Sequence, residues 1–287
     1  MSGDFLRQMA EHSRERVQAA KAACPEQQLS ERIAALPEPL PLVRSTAGFD
    51  LIAELKLRSP AAGRLRDGDE DVPARVTAYA KAGAAAVSVL TEPSRFDGSM
   101  AHLQSAADAL RPMRVPAMRK DFLVDPYQVL EARAAGASGV LVILRMLPRS
   151  RLDELIESAL RLRLFVLLEA FDEADLELAH DLLARHAADA RAAGSQDGRP
   201  LLLVGVNCRD LTTLQVVPQR LDQLASLLPA GAPRVAESGV VSADDARRVA
   251  RAGYDLALVG SALMQGADPG ALARDMLAAG RAGAAER

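Results

Sequence analysis

Charged side chains recur at the ends of apolar runs in this sequence of 287 residues, where burying them is costly unless they are used. Glu54 and Lys56 stand two apart in the run Leu51 to Leu57, a spacing that puts both on one face of a strand. Arg119-Lys120 ends a second such run and Glu169 a third. Asn207, with Arg209 two further on, ends a fourth, and Glu237 a fifth. Carboxylates beside ammonium groups are the parts of general acid–base chemistry, and the surrounding cations suit an anionic substrate. His12, His102, His180 and His186 all lie in polar or amphipathic helical stretches away from these runs, so a histidine-based triad and zinc chemistry are disfavoured and no metal is expected.

Small residues accompany the charges. Ser59-Pro60 with Gly63 follows the first run, and Glu237-Ser238-Gly239 and Val259-Gly260-Ser261 close the last two. Such residues let backbone N–H groups approach a phosphate, and a helix starting at Ser261 would add a favourable dipole. The pattern predicts a small phosphorylated anion as ligand.

The elements that must position these groups are legible as a rhythm. From Asp50 onward, apolar runs alternate with Ala/Leu/Arg/Glu-rich amphipathic stretches, as in repeated βα units. The predicted strands are Leu51 to Leu57, Ala86 to Thr91, Val115 to Lys120, Gly139 to Leu144, Leu164 to Glu169, Leu201 to Asn207, Arg234 to Glu237 and Leu256 to Gly260. Eight of them predict an α/β fold, a (β/α)8 TIM barrel over 50–287, whose active site forms at the C-terminal ends of the strands, where the charges stand. Asp125-Pro126 opens one helix, Ser242 with Asp245 resembles a capping box, and Gly83, Gly136 and Gly253 have the placement of left-handed helix ends.

Residues 1–49 fall outside the repeat: amphipathic pieces Phe5 to Ala23 and Leu29 to Leu36, then a Pro-rich connector, Pro37 to Pro41. They predict an N-terminal helical extension packed on the barrel and covering one end. The stretch Ala187 to Pro200 is small, polar and Gly-containing, and predicts a mobile loop before the sixth strand.

Composition bounds the function. A net charge of -3 lacks the basic excess of a nucleic-acid partner, and no apolar run approaches the roughly 20 residues of a membrane span. Cys24 and Cys208 lack metal-ligand spacing and no signal segment opens the chain, so a cytoplasmic protein is expected.

At these residues the sequence resembles the indole-3-glycerol-phosphate synthase family of tryptophan biosynthesis. The resemblance covers Ile52-Ala53-Glu54-Leu55-Lys56 with Ser59-Pro60, Ser88-Val89-Leu90-Thr91-Glu92 with Phe96-Asp97-Gly98-Ser99, and Arg119-Lys120-Asp121-Phe122-Leu123-Val124-Asp125-Pro126-Tyr127-Gln128. It resumes at Leu168-Glu169, Val206-Asn207-Cys208-Arg209-Asp210-Leu211, Ala236-Glu237-Ser238-Gly239 and Val259-Gly260-Ser261-Ala262-Leu263-Met264. Three departures from the family's habit are visible: Ala61 after Ser59-Pro60, Ala170-Phe171 after Glu169, and Cys208 before Arg209-Asp210-Leu211.

The resemblance implies conversion of 1-(2-carboxyphenylamino)-1-deoxyribulose 5-phosphate to indole-3-glycerol phosphate, carbon dioxide and water, a carboxy-lyase reaction without a cofactor. It implies Lys120 as general acid, its pKa expected to be pushed down by neighbouring cations, and Glu169 as the base that takes a ring-nitrogen proton. Glu54 and Glu237 match supporting carboxylates, Glu54 also orienting Lys56. Lys56 and Arg209 suit the substrate carboxylate, Asn207 a sugar hydroxyl, and Ser59, Ser238, Gly239, Gly260 and Ser261 the phosphate. Phe96, Phe122 and Leu141 match an apolar wall for the aromatic ring. Two other readings stand beside this one. A sister phosphate-binding barrel would act on a modified anthranilate-derived substrate or, like phosphoribosylanthranilate isomerases, use a Cys/Asp pair; a non-catalytic barrel subunit would need no such charged set. Association with other enzymes of the pathway is not legible in the sequence, and with no further βα repeat before Arg287 a fused isomerase is not expected.

Overall fold

The computed structural model describes residues 2–60, 63–65, 70–194, 200–211 and 213–287. Two helices come first, α1 (Ser2–Ala23) and α2 (Glu26–Ala34). Eight barrel strands follow: β1 (Asp50–Leu55), β2 (Ala86–Leu90), β3 (Ala117–Lys120), β4 (Gly139–Ile143), β5 (Phe165–Ala170), β6 (Leu202–Asn207), β7 (Arg234–Glu237) and β8 (Leu256–Val259). Each pairs in parallel with its neighbours in sequence, and β8 returns to β1 from Asp50↔Leu256 to Ala53↔Val259, closing the expected (β/α)8 barrel. The strands fall where the apolar runs predicted them, within one or two residues at their ends.

The crossover helices that cover the barrel are α3 (Val72–Lys81), α4 (Met100–Leu110), α5 (Tyr127–Ala134), α6 (Arg149–Arg161), α7 (Glu173–Gly194), α8 (Gln219–Leu224), α9 (Ala243–Arg251) and α10 (Pro269–Ala284). Ser242 accepts from Asp245 N while the Asp245 carboxylate reaches back to the Ser242 N–H, the predicted capping box. Gly83, Gly136 and Gly253 take φ of 99°, 85° and 110°, so each turns the chain from a helix into the next strand through the left-handed region that a side chain would disfavour.

The polar stretch before β6 differs from expectation. Residues 187–194 continue α7 to Gly194 rather than forming a loop, and 195–199 lie outside the described residues. The composition explains this: Ala, Asp and Arg up to Ala193 include no breaker, and Ala and Arg are strong helix formers, so the helix propagates until the first glycine.

Helices α1 and α2 pack on the segment that follows β3 and on α5, at the C-terminal end of that strand. Val17 of α1 and Leu29 of α2 share a buried cluster with Val124 and Tyr127, from the segment that follows β3. Tyr127 Oη donates to the backbone carbonyls of Ala20 (3.0 Å) and Cys24 (2.6 Å), fixing the end of α1.

Candidate active site

A cavity of about 400 Å³ opens at the C-terminal ends of the strands. Every residue to which the family resemblance gave a catalytic or binding role lines it. Glu54, Lys56, Lys120, Glu169, Asn207 and Glu237 bring the charge, Ser59, Arg209, Ser238, Gly239, Gly260 and Ser261 the rim, and Phe96, Phe122 and Leu141 the wall. The volume is that of a small-molecule site.

The charged floor is a connected set. Lys120 Nζ donates to Glu169 Oε1 at 3.0 Å and to Glu237 Oε2 at 3.4 Å, and Asn207 Nδ2 donates to the same Glu169 oxygen at 2.9 Å. Lys56 Nζ pairs with Glu54 Oε1 at 2.7 Å. Strand register brings these groups together, with Asn207 opposite Glu237 and Glu169 opposite Gly205. Two glycines leave room for the carboxylates: a Cβ on Gly205 would collide with Glu237 Oε1, and one on Gly260 with Glu54 Oε1. Gly260 therefore serves the carboxylate floor as well as the rim.

Electrostatics overturn one expectation. Burial alone would lower the Lys120 pKa, but the charges of Glu169, Glu237 and Glu54 outweigh it and hold the ammonium well above its ordinary range. The nearest neighbours are carboxylates rather than cations, so the lysine is a firmly protonated donor rather than one tuned downward. Glu237 is shifted the opposite way from an ordinary carboxylate. Burial and the adjacent Glu169 push it well above the usual range, with Lys120 pulling only partly back.

The wall is aromatic and reaches beyond the barrel. Phe122 stacks at a tilt on Phe96 with centroids 6.1 Å apart, and Phe5 of α1 meets it edge-on at 5.9 Å. Phe5, Leu90, Ile143 and Phe171 also line the cavity and were not singled out from the sequence. Ile143 follows Leu141, and Leu90 follows Ser88, at the strand period of two, a signal the sequence did hold. Phe5 lies far from the barrel strands in sequence, and nothing local marked it. Phe171, which stands where the family usually has another residue, carries the Arg145 guanidinium 4.9 Å above its ring.

At the rim, Ser238 and Gly239 take φ of 64° and 69° in succession, and Gly260 precedes the short helix Ser261–Gln265. Arg209 is anchored by donation from Nη1 to Leu214 O at 2.6 Å. Arg119, grouped with the mouth charges in the sequence, is outside the cavity lining: alternation along β3 turns Lys120 inward and Arg119 toward Thr91 and Asp121. Ala61 lies outside the described residues. Cys208 is buried beneath Gly239, and burial pushes its thiol up to about 11.

Comparison with known proteins places the chain in a family. The chain is 41% identical over 255 residues to the indole-3-glycerol phosphate synthase of Parafrankia sp. (strain EAN1pec), covering 88% of this chain and 87% of that protein. It is 35% identical over 286 residues to that of Salinibacter ruber (strain DSM 13855 / M31), covering 99% and 98%. Among solved structures, thiamine phosphate pyrophosphorylase from Pyrococcus furiosus superposes with a TM-score of 0.54 at 18% identity, covering 82% of this chain and 96% of that one, a likeness of fold alone. With the family model for indole-3-glycerol phosphate synthase matching residues 6–276, the chain belongs to the indole-3-glycerol phosphate synthase family.

Proposed function

We propose that this cavity closes the indole ring of 1-(2-carboxyphenylamino)-1-deoxyribulose 5-phosphate, releasing carbon dioxide and water to give indole-3-glycerol phosphate. The observation that carries the assignment is Lys120 held between Glu169 and Glu237 beside an aromatic wall. The aromatic carbon attacks the ketone, and Lys120 protonates the oxygen as it becomes an alkoxide, a base strong enough to take a proton from an ammonium. Lys56 and Arg209 hold the carboxylate, which leaves as carbon dioxide and returns its bonding electrons to the ring. The new hydroxyl departs as water with a second proton from Lys120, recharged from solvent after the first step, and Glu169 takes the proton lost from the five-membered ring. Asn207 orients Glu169 and is within reach of a sugar hydroxyl. Ser59, Ser238, Gly239, Gly260 and Ser261 receive the phosphate, and Phe96, Phe122 and Leu141 pack the anthranilate ring.

A Cys/Asp isomerase chemistry is disfavoured because the Cys208 thiol is buried and its pKa is raised. Among the described residues no helix is long and apolar enough to cross a membrane, and both cysteines are free, which supports a cytoplasmic enzyme. The decisive assay follows indole fluorescence with purified protein and the carboxyphenylamino substrate. A folded protein without turnover would overturn the assignment. Replacing Lys120 with Ala is expected to cost about two to four orders of magnitude in kcat.

A further inference from the structure

The run Lys120-Asp121-Phe122 carries more than one reactive group. Asp121 follows Lys120 directly at the edge of the cavity, and its side chain is fully buried. It gathers donors from three parts of the chain: Arg16 of α1 through Nη1 and Nη2 at 2.9 and 2.8 Å, Thr91 Oγ1 at 2.7 Å, and Arg119 Nη2 at 3.1 Å. It also accepts from the Phe122 N–H at 2.8 Å. Burial would raise its pKa, but Arg119 and Arg16 hold it far below the ordinary range, so the hub stays ionised.

The same contacts grip the backbone on both sides of the hub. Thr91 N donates to Lys120 O at 3.1 Å, while Ser13 Oγ of α1 donates to Phe122 O at 2.5 Å and is itself held by Gln128 Nε2 at 2.9 Å. The backbone that carries Lys120 is thus clamped between β2 and the N-terminal helix. A bidentate guanidinium–carboxylate pair fixes direction as well as distance, which a hydrophobic contact does not.

We infer that Arg16 and Asp121 are positioning residues, through which α1 sets where the Lys120 ammonium stands over the floor of the active site. The inference rests on the proposed role of Lys120 as acid. It also gives a purpose to Asp121, Asp125 and Gln128 of the Lys-Asp-Phe-x-x-Asp-Pro-Tyr-Gln run, which all bond to side chains of α1.

The test is steady-state kinetics of Arg16→Ala, a side chain exposed enough for the protein to fold without it, in the wild-type and Lys120→Ala backgrounds. In the wild-type background kcat is expected to fall about tenfold to a hundredfold with KM nearly constant, the signature of a misplaced catalytic group. The melting temperature should fall by only about a few degrees, since Arg119 still pairs with Asp121, and millimolar methylguanidinium should restore part of kcat. In the Lys120→Ala background Arg16→Ala should cost nothing further, because both changes act through one group. Unchanged kcat, an equal loss in both backgrounds, or a loss that tracks melting temperature and resists methylguanidinium would each overturn the inference. If Lys120→Ala alone retains activity, it is the role of Lys120 that fails.

Discussion

Lys120 Nζ lies 3.0 Å from Glu169 Oε1, so the residue assigned as acid and the residue assigned as base are hydrogen-bonded to each other in the resting site. The charge on Glu169 therefore bears directly on the Lys120 ammonium. Because Glu169 is the largest of the charges that hold Lys120 above its ordinary pKa, neutralising it as Glu169→Gln must bring the lysine down. The acid has to be protonated to act, so the high-pH limb of the residual kcat should move to lower pH. A pH–rate profile of the variant checks this, and a limb that stays in place would dissociate Lys120 from the limb or from Glu169.

Glu237 makes a stability prediction of definite sign. Its folded pKa is raised above the ordinary 4.5 by burial and by Glu169. As pH rises past that ordinary value the unfolded chain ionises first, so stability falls until the folded carboxyl has also ionised, at up to about 1.4 kcal/mol per pH unit. Gln is the neutral shape of the same side chain and has no such slope. Urea unfolding of wild type and Glu237→Gln between about pH 5 and 8 should show the variant gaining on the wild type as pH rises. Parallel curves would mean that Glu237 is ionised in the folded protein at no cost.

The barrel and its charged mouth were legible because both arise from short-range rules. Strands announce themselves by apolar runs, and a charge at the end of such a run is an exception with a reason, as at Glu169 and Glu237. What the sequence did not disclose depends on distances across the fold. The sign of the Lys120 shift is set by which charges lie nearest, and Glu169 and Glu237 are 49 and 117 residues away in sequence. Phe5 in the wall and the Arg16 contact to Asp121 join segments more than 100 residues apart. The stretch 187–194 failed for a different reason: polarity was read as a loop where helix propensity decided the outcome.

Gly260 is expected to matter through a carboxylate. Its φ of -119° is open to any residue, so Gly260→Ala carries no backbone strain. Its Cβ would nevertheless collide with Glu54 Oε1 and lie 3.2 Å from Glu54 Cβ. Overpacking of this kind costs about 1–3 kcal/mol, and here it also displaces the partner of Lys56. Thermal unfolding should show the loss, and shortening the neighbour in Gly260→Ala/Glu54→Asp should recover part of it. Additive losses in the double variant would show that the alanine methyl does not meet Glu54.

Gly239 is assigned to phosphate binding rather than to proton transfer. An alanine there would have to keep φ near 69° and place its Cβ 2.8 Å from Cys208 Sγ, so the loop that presents Ser238 and Gly239 must move. The phosphate is remote from the bonds that change, and its contacts are as strong in the ground state as in the transition state. Gly239→Ala should therefore raise KM by about tenfold with kcat little altered, the pattern of lost uniform binding. Inorganic phosphate supplies an independent readout: it should inhibit wild type competitively, and its inhibition constant should rise in the variant by the same factor as KM. If kcat falls while phosphate inhibition is unchanged, the rim formed by Ser238 and Gly239 does not receive the phosphate, and the anion must be held by Ser59, Gly260 and Ser261 alone.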